Sequence, residues 1–146
     1  MPGGLVLRLR PHEKFLVNGV IIENGDRRAR LRVRTQDAHI LRLRDALHPD
    51  AATTPARRLY YAAQLAVAGE ADKNDVKREL LSGLRALQDA FGPELCRKPL
   101  DEALAEAENG RFYNVMRALA RVLAQEATLL DLARDPKTPM PEAAPR

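Results

Sequence analysis

The chain has 146 residues, with 24 Lys and Arg against 20 Asp and Glu, a formal charge of +4, one Cys and no Trp. That length gives one ordinary domain or two small ones sharing a core, and no run approaches the 18 consecutive apolar residues of a transmembrane helix. The single thiol, Cys96, excludes an internal disulfide and a multi-cysteine zinc site, which makes a reducing, cytoplasmic setting the default.

Met1-Pro2-Gly3-Gly4 leads straight into an arginine-studded segment, so no signal or transit peptide is expected. Residues 5–10 alternate apolar and polar at period two, as a half-buried strand does. Residues 14–17 start a second extended run. Asn18-Gly19 then marks a tight turn, because both residues tolerate positive φ. Val20, Ile21, Ile22 and Glu23 follow, then a second Asn24-Gly25 turn, a strict alternation over 28–34 and a last short strand over 40–44. Short strands separated by such turns predict an antiparallel meander.

After Pro49 the period becomes helical. Thr54 before Pro55 is an N-cap with proline at the first helical position, and Gly69 closes this first helix. Asn74 is placed to cap a second helix with an apolar stripe of Val76, Leu80, Leu84 and Leu87, ended by Gly92-Pro93. Pro99 opens a third that stops at Asn109-Gly110, and a fourth runs from about Arg111 through Phe112, Val115, Met116, Leu119 and Val122. Residues 135–146 hold four prolines and are expected to be disordered. The expected fold is α+β: a small antiparallel sheet over residues 1–48, then a four-helix region over 52–134.

The charge is uneven. Residues 1–48 hold ten Lys or Arg against five acids, a net +5, and nine of the ten are Arg; residues 49–146 come to −1. Arg28, Arg30, Arg32 and Arg34 alternate with Ala29, Leu31 and Val33. Arg42 and Arg44 alternate with Leu41 and Leu43, and Arg8 and Arg10 with Leu7 and Leu9. A solvated face usually mixes signs, because like charges opposite one another across strands repel. An all-arginine face calls for an anionic partner, and guanidinium suits bidentate phosphate contacts and base stacking. Nucleic acid leads on these grounds, ahead of an anionic membrane surface or an acidic protein. No long basic helix is present to enter a major groove, and no aromatic ladder lies on the strands. Contacts along a strand edge to single-stranded or loop RNA fit best.

Residues 5–19, 22–26, 41–45 and 54–60, together with Gly110-Arg-Phe-Tyr-Asn114, resemble the FlbT family of flagellum-biosynthesis repressors, over residue 5 to about 130. The resemblance implies a protein that binds the 5′ untranslated leader of flagellin mRNA, represses translation and promotes mRNA decay when flagellar assembly is incomplete. The N-terminal third is also similar to the CsrA/RsmA translational repressors. There Arg10-Pro11-His12-Glu13 matches an Arg-x-x-Glu after the first strand, and Arg44-Asp45-Ala46-Leu47 an Arg-Glu-Glu-Ile closing the last, although Ala46 replaces an acid. That likeness makes Arg44 the foremost RNA contact, with Arg42, Arg10 and Arg8 beside it, and implies a CsrA-like sheet and a homodimer. Arg30, Arg32 and Arg34 join the candidate RNA-binding set.

Catalysis is not expected. His12, His39 and His48 lack ligand spacing, and Cys96 has no histidine near in sequence, so no metal, cofactor or enzymatic role is assigned. Asp101, Glu102, Glu106 and Glu108 read as a solvated acidic helix face. Tyr60 sits with Leu59 and Ala63 on an apolar face and reads as core, and the Gly110–Asn114 segment as helix packing. The alternative function is an adaptor or chaperone: residues 52–134 grip flagellin or a flagellar regulator, and the basic sheet serves dimerisation or solubility.

Overall fold

A computed structural model describes residues 5–35 and 38–133. The strands are β1 (Leu5–Leu9), β2 (Lys14–Val17), β3 (Val20–Glu23), β4 (Ala29–Val33) and β5 (Ile40–Arg42). The helices are α1 (Pro55–Val67), α2 (Lys73–Phe91), α3 (Arg97–Glu108) and α4 (Phe112–Ala133). The architecture is α+β, with small antiparallel sheets preceding four helices. The disordered tail expected over 135–146 lies outside the described residues.

The strands do not form one meander. β1 pairs with β4 as a two-stranded ribbon, and β3, β2 and β5 form a separate sheet in that order, all antiparallel. Asn18 and Gly19, with φ of 49° and 85°, make the expected hairpin between β2 and β3. Asn24-Gly25 does something else. The Asn24 side-chain amide donates to the Arg10 and Arg27 carbonyls at 2.7 and 2.8 Å, and the His12 amide donates to the Gly25 carbonyl at 2.8 Å. These bonds carry the chain from β3 across the β1–β2 corner, so that β4 reaches the edge of β1.

Leu7, Leu9, Phe15 and Ile40 fill the space between ribbon and sheet, while Leu41, with Leu16 opposite it, joins the helical core. β5 is therefore covered on both faces, and all three of its residues are buried. Arg42 lies opposite Phe15, on the ribbon side.

Thr54 caps α1 by accepting from the Arg57 amide at 3.2 Å, and its hydroxyl donates to Glu126 at 2.6 Å, tying the start of α1 to α4. Asp72, two residues before the expected Asn74, caps α2 by accepting from the Asn74 and Asp75 amides. α3 begins at Arg97, so Pro99 sits within its first turn, where its missing N–H leaves no intrahelical bond unmade. Leu80, Leu84, Leu100, Val115, Met116, Leu119 and Val122 are fully buried at the centre of the four helices. At Gly83 a Cβ would stand 2.5 Å from Leu59 Cδ2, so the missing side chain lets α2 lie close against α1.

Candidate nucleic-acid interface

The segment after β5 is fixed by α1. Tyr60 donates its hydroxyl to the Asp45 carbonyl at 2.6 Å. Gln64 makes a reciprocal pair with Leu47, accepting from its amide at 2.6 Å and donating to its carbonyl at 3.0 Å. Burial, the nearby Asp45 carboxylate and Tyr113 push the Tyr60 phenol up to about 12, so it stays a donor across the physiological range. Leu43–Asp45 is consequently a 3-10 turn instead of the two last residues of a strand.

This turn changes where the two last arginines stand. Arg42 is 8% exposed, not part of a solvated face as strand alternation suggested, because β5 has no solvent side. Arg44 is half-open, its side chain 40% exposed. Between them lies Glu13, whose side chain is only 6% exposed. One Glu13 oxygen accepts from the Arg10 amide at 2.8 Å; the other lies 3.8 Å from Arg42 Nη1 and 3.4 Å from Arg44 Nε. A carboxylate this buried requires compensating charge, and the two guanidinium groups supply it. Glu13 Oε2 and Arg42 Nε still lack a hydrogen-bond partner, so the pair is held by charge more than by bond geometry.

On the ribbon, Arg8 stands directly opposite Arg30, and Val6 opposite Arg32. Directly paired residues share a face, so these arginines form one basic surface while Leu7 and Leu9 point into the small core. Arg8, Arg10, Arg28, Arg30 and Arg32 are exposed and make no ion pair among the described residues.

A cleft of ≈ 1070 Å³ opens beside this surface. The β layer contributes Arg8, Arg10, Arg28, Arg30, Arg42 and Arg44; the helices contribute Tyr60, Tyr113, Met116, Arg117 and Ala120. Seven arginines and one acid, Asp45, line it. Five of the seven sequence-derived candidates, Arg8, Arg10, Arg30, Arg42 and Arg44, meet there. Arg32 continues the ribbon face outside the cleft lining, and Arg34 lies exposed beyond the end of β4. Sequence reasoning missed Tyr113, Arg117 and the role of Glu13. The available signal was the spacing of Tyr113, Arg117 and Ala120 at i, i+4 and i+7, a stripe beside the buried face of α4.

The other candidates stay apart. His12 lies near Glu23 at 3.6 Å, His48 Nδ1 accepts from the Asp50 amide at 3.1 Å, and the His39 ring abuts Gly69. Cys96 is buried at the start of α3, where burial first and then the Glu126 carboxylate push its thiol pKa up, away from the reactive thiolate. Among the described residues no helix is long and apolar enough to cross a membrane.

The fold is thus that of a small α+β protein with an arginine-lined cleft between a β layer and a helical layer and a buried acid between two of its arginines. More particularly, the chain belongs to the FlbT family: a model described as flagellar protein FlbT matches residues 5–130. It is 46% identical over 68 residues to the "probable flagellum biosynthesis repressor protein FlbT" of a Caulobacter species, covering 47% of this chain and 51% of that relative. It is 49% identical over 57 residues to the flagellum biosynthesis repressor protein FlbT of Caulobacter vibrioides, covering 39% and 40%. A longer match, 28% identical over 126 residues, covers 86% of this chain and 82% of a relative from Brucella anthropi carrying the same name as the first. The chain thus spans about half, or less, of the length of the Caulobacter relatives it matches. No solved structure matches the chain.

Proposed function

We propose that this protein regulates flagellum synthesis after transcription, by binding the 5′ untranslated leader of flagellin mRNA in the cytoplasm, repressing translation and promoting decay of the message. The observation that carries the reading is the cleft in which seven arginines face a single acid. Arg8, Arg10, Arg28, Arg30 and Arg117 of that lining are exposed and make no ion pair among the described residues, and such guanidinium groups are suited to the phosphates and base edges of RNA. The names of the relatives as flagellum biosynthesis repressors supply the flagellar context. Within the cleft, Arg44 is the foremost contact, since its side chain is half-open while its position is fixed through Glu13, Tyr60 and Gln64. Arg44→Ala is expected to weaken binding to the leader by about 1–3 kcal/mol if Arg44 reads a base edge. Fluorescence anisotropy at fixed salt tests this, and equal affinities for parent and variant would remove Arg44 from the interface.

A second reading, in which a protein partner or a second copy of the chain is bound, is supported by β3. Among the described residues this strand has one neighbour only, and Val20, Ile21 and Ile22 are 59%, 61% and 41% exposed. An unpaired apolar edge of this kind is a template for strand addition. Ile21→Lys is expected to shift a self-associating protein to the monomer in sedimentation velocity; a parent chain monomeric at high concentration would count against pairing of copies.

A further inference from the structure

We infer that α4 is the second wall of the RNA site: Arg117 contacts phosphate and Tyr113 stacks on a base of one unpaired strand held between helix and ribbon. This rests on the RNA reading above and adds to it residues from the helical layer.

Charge comes first. The arginines around α3 are neutralised within the helical layer, and Arg121 of α4 pairs with Glu102. Arg117, one turn before Arg121, is exposed, lines the cleft and has no ion pair among the described residues. It faces the same cavity as Arg8, Arg30 and Arg44, so cations converge on that space from both layers. Mutual repulsion of that kind is relieved by a polyanion running through the cleft.

Aromatic surface comes second. The cleft has two aromatic side chains, Tyr60 and Tyr113. Tyr60 is 8% exposed and its hydroxyl is committed to the Asp45 carbonyl. Tyr113 lines the cleft one helical turn from Arg117 and is half-buried, more accessible than Tyr60. An aromatic next to a row of cations is the pairing by which single strands are held, because every base offers a π-face while the backbone follows the charge. A duplex presents its bases stacked and is read from outside, across a wide, shallow groove. A cleft of ≈ 1070 Å³ with walls from two layers offers an unpaired strand contacts on both sides.

The test uses the full chain and two probes: a single-stranded oligoribonucleotide carrying the flagellin leader sequence, and the same strand annealed to its complement. Tyr113→Ala is expected to weaken single-strand binding about 5- to 100-fold, whereas Tyr113→Phe, which keeps the ring, retains the parental affinity. Arg117→Gln is expected to weaken binding and lower the slope of log affinity against log salt by about one. Thermal melts check that each variant folds, and Arg117→Gln keeps the second wall open to decision should Tyr113→Ala unfold. If the parent binds the strand and Arg30→Gln weakens it while Arg117→Gln and Tyr113→Ala bind like the parent, the second wall is refuted and the RNA reading stands. Equal affinity for annealed and single-stranded probes would likewise overturn the proposal. No binding of either probe by the parent would overturn the RNA reading itself, and this inference with it.

Discussion

The acidic face of α3 and the arginine face of the ribbon are runs of like charge that meet opposite fates. Asp101 lies 3.9 Å from Arg97, Glu106 3.2 Å from Arg111 and Glu108 3.8 Å from Arg85, while Glu102 pairs with Arg121. Every acid of that run thus has an arginine of the same chain beside it. Arg8 and Arg30 have each other, directly across the ribbon, and no acid. The difference separates a charge run compensated within the chain from one left uncompensated among the described residues. Exposed pairs of the first kind contribute little to stability; like charges directly opposite one another, as in the second, cost stability.

Glu13 compensates the basic side of the molecule from within, at Arg42 and Arg44, and it should give the largest effect. Glu13→Ala leaves Arg42 buried with no anion beside it. Urea unfolding is expected to register a loss of about 3–5 kcal/mol, as when one partner of a buried pair is removed; a loss below ~1 kcal/mol would mean that water already reaches Arg42. Next in size is the clamp that positions Arg44. Tyr60→Phe removes the bond to the Asp45 carbonyl and is expected to cost about 1 kcal/mol. The Tyr60 phenol is raised from 10.0 to about 12 in the fold, so its contribution is complete below pH 10 and disappears as pH rises through about 12. Denaturation profiles of parent and Tyr60→Phe should therefore converge over that window, and parallel profiles would remove the phenol as the cause. The smallest effects bear on the comparison itself. Arg30→Gln should stabilise the free protein by about 0.2–1 kcal/mol through relief of the Arg8 repulsion while weakening RNA binding. Glu102→Gln should cost ~0–1 kcal/mol and leave RNA binding unchanged. A destabilised Arg30→Gln protein would show that the ribbon face is already compensated.

Much of the fold was legible in the residues, because the signals were local. Thr54-Pro55, Gly92-Pro93 and the apolar stripes bounded the helices within a few residues, since capping and amphipathic periodicity act over a single turn. Asn18-Gly19 gave its hairpin for the same reason. Asn24-Gly25 misled because the same dipeptide serves any segment that needs a bend: here its side chain stitches a crossover. Alternation along a strand tells which residues share a face, and says nothing about which strand lies alongside or what covers that face.

The candidate site divides along the same line. Composition and period by themselves determined an arginine-rich β region, its alternating face and a helical region of balanced charge, because these depend on residue type and spacing alone. Only the tertiary structure decided that β5 would be covered on both sides, which turned Arg42 from a surface cation into half of a buried pair with Glu13. It alone brought Tyr113 and Arg117 opposite the ribbon, across more than 80 residues of chain. The physical reason is that burial and charge compensation are set by groups distant in sequence, which no local pattern records.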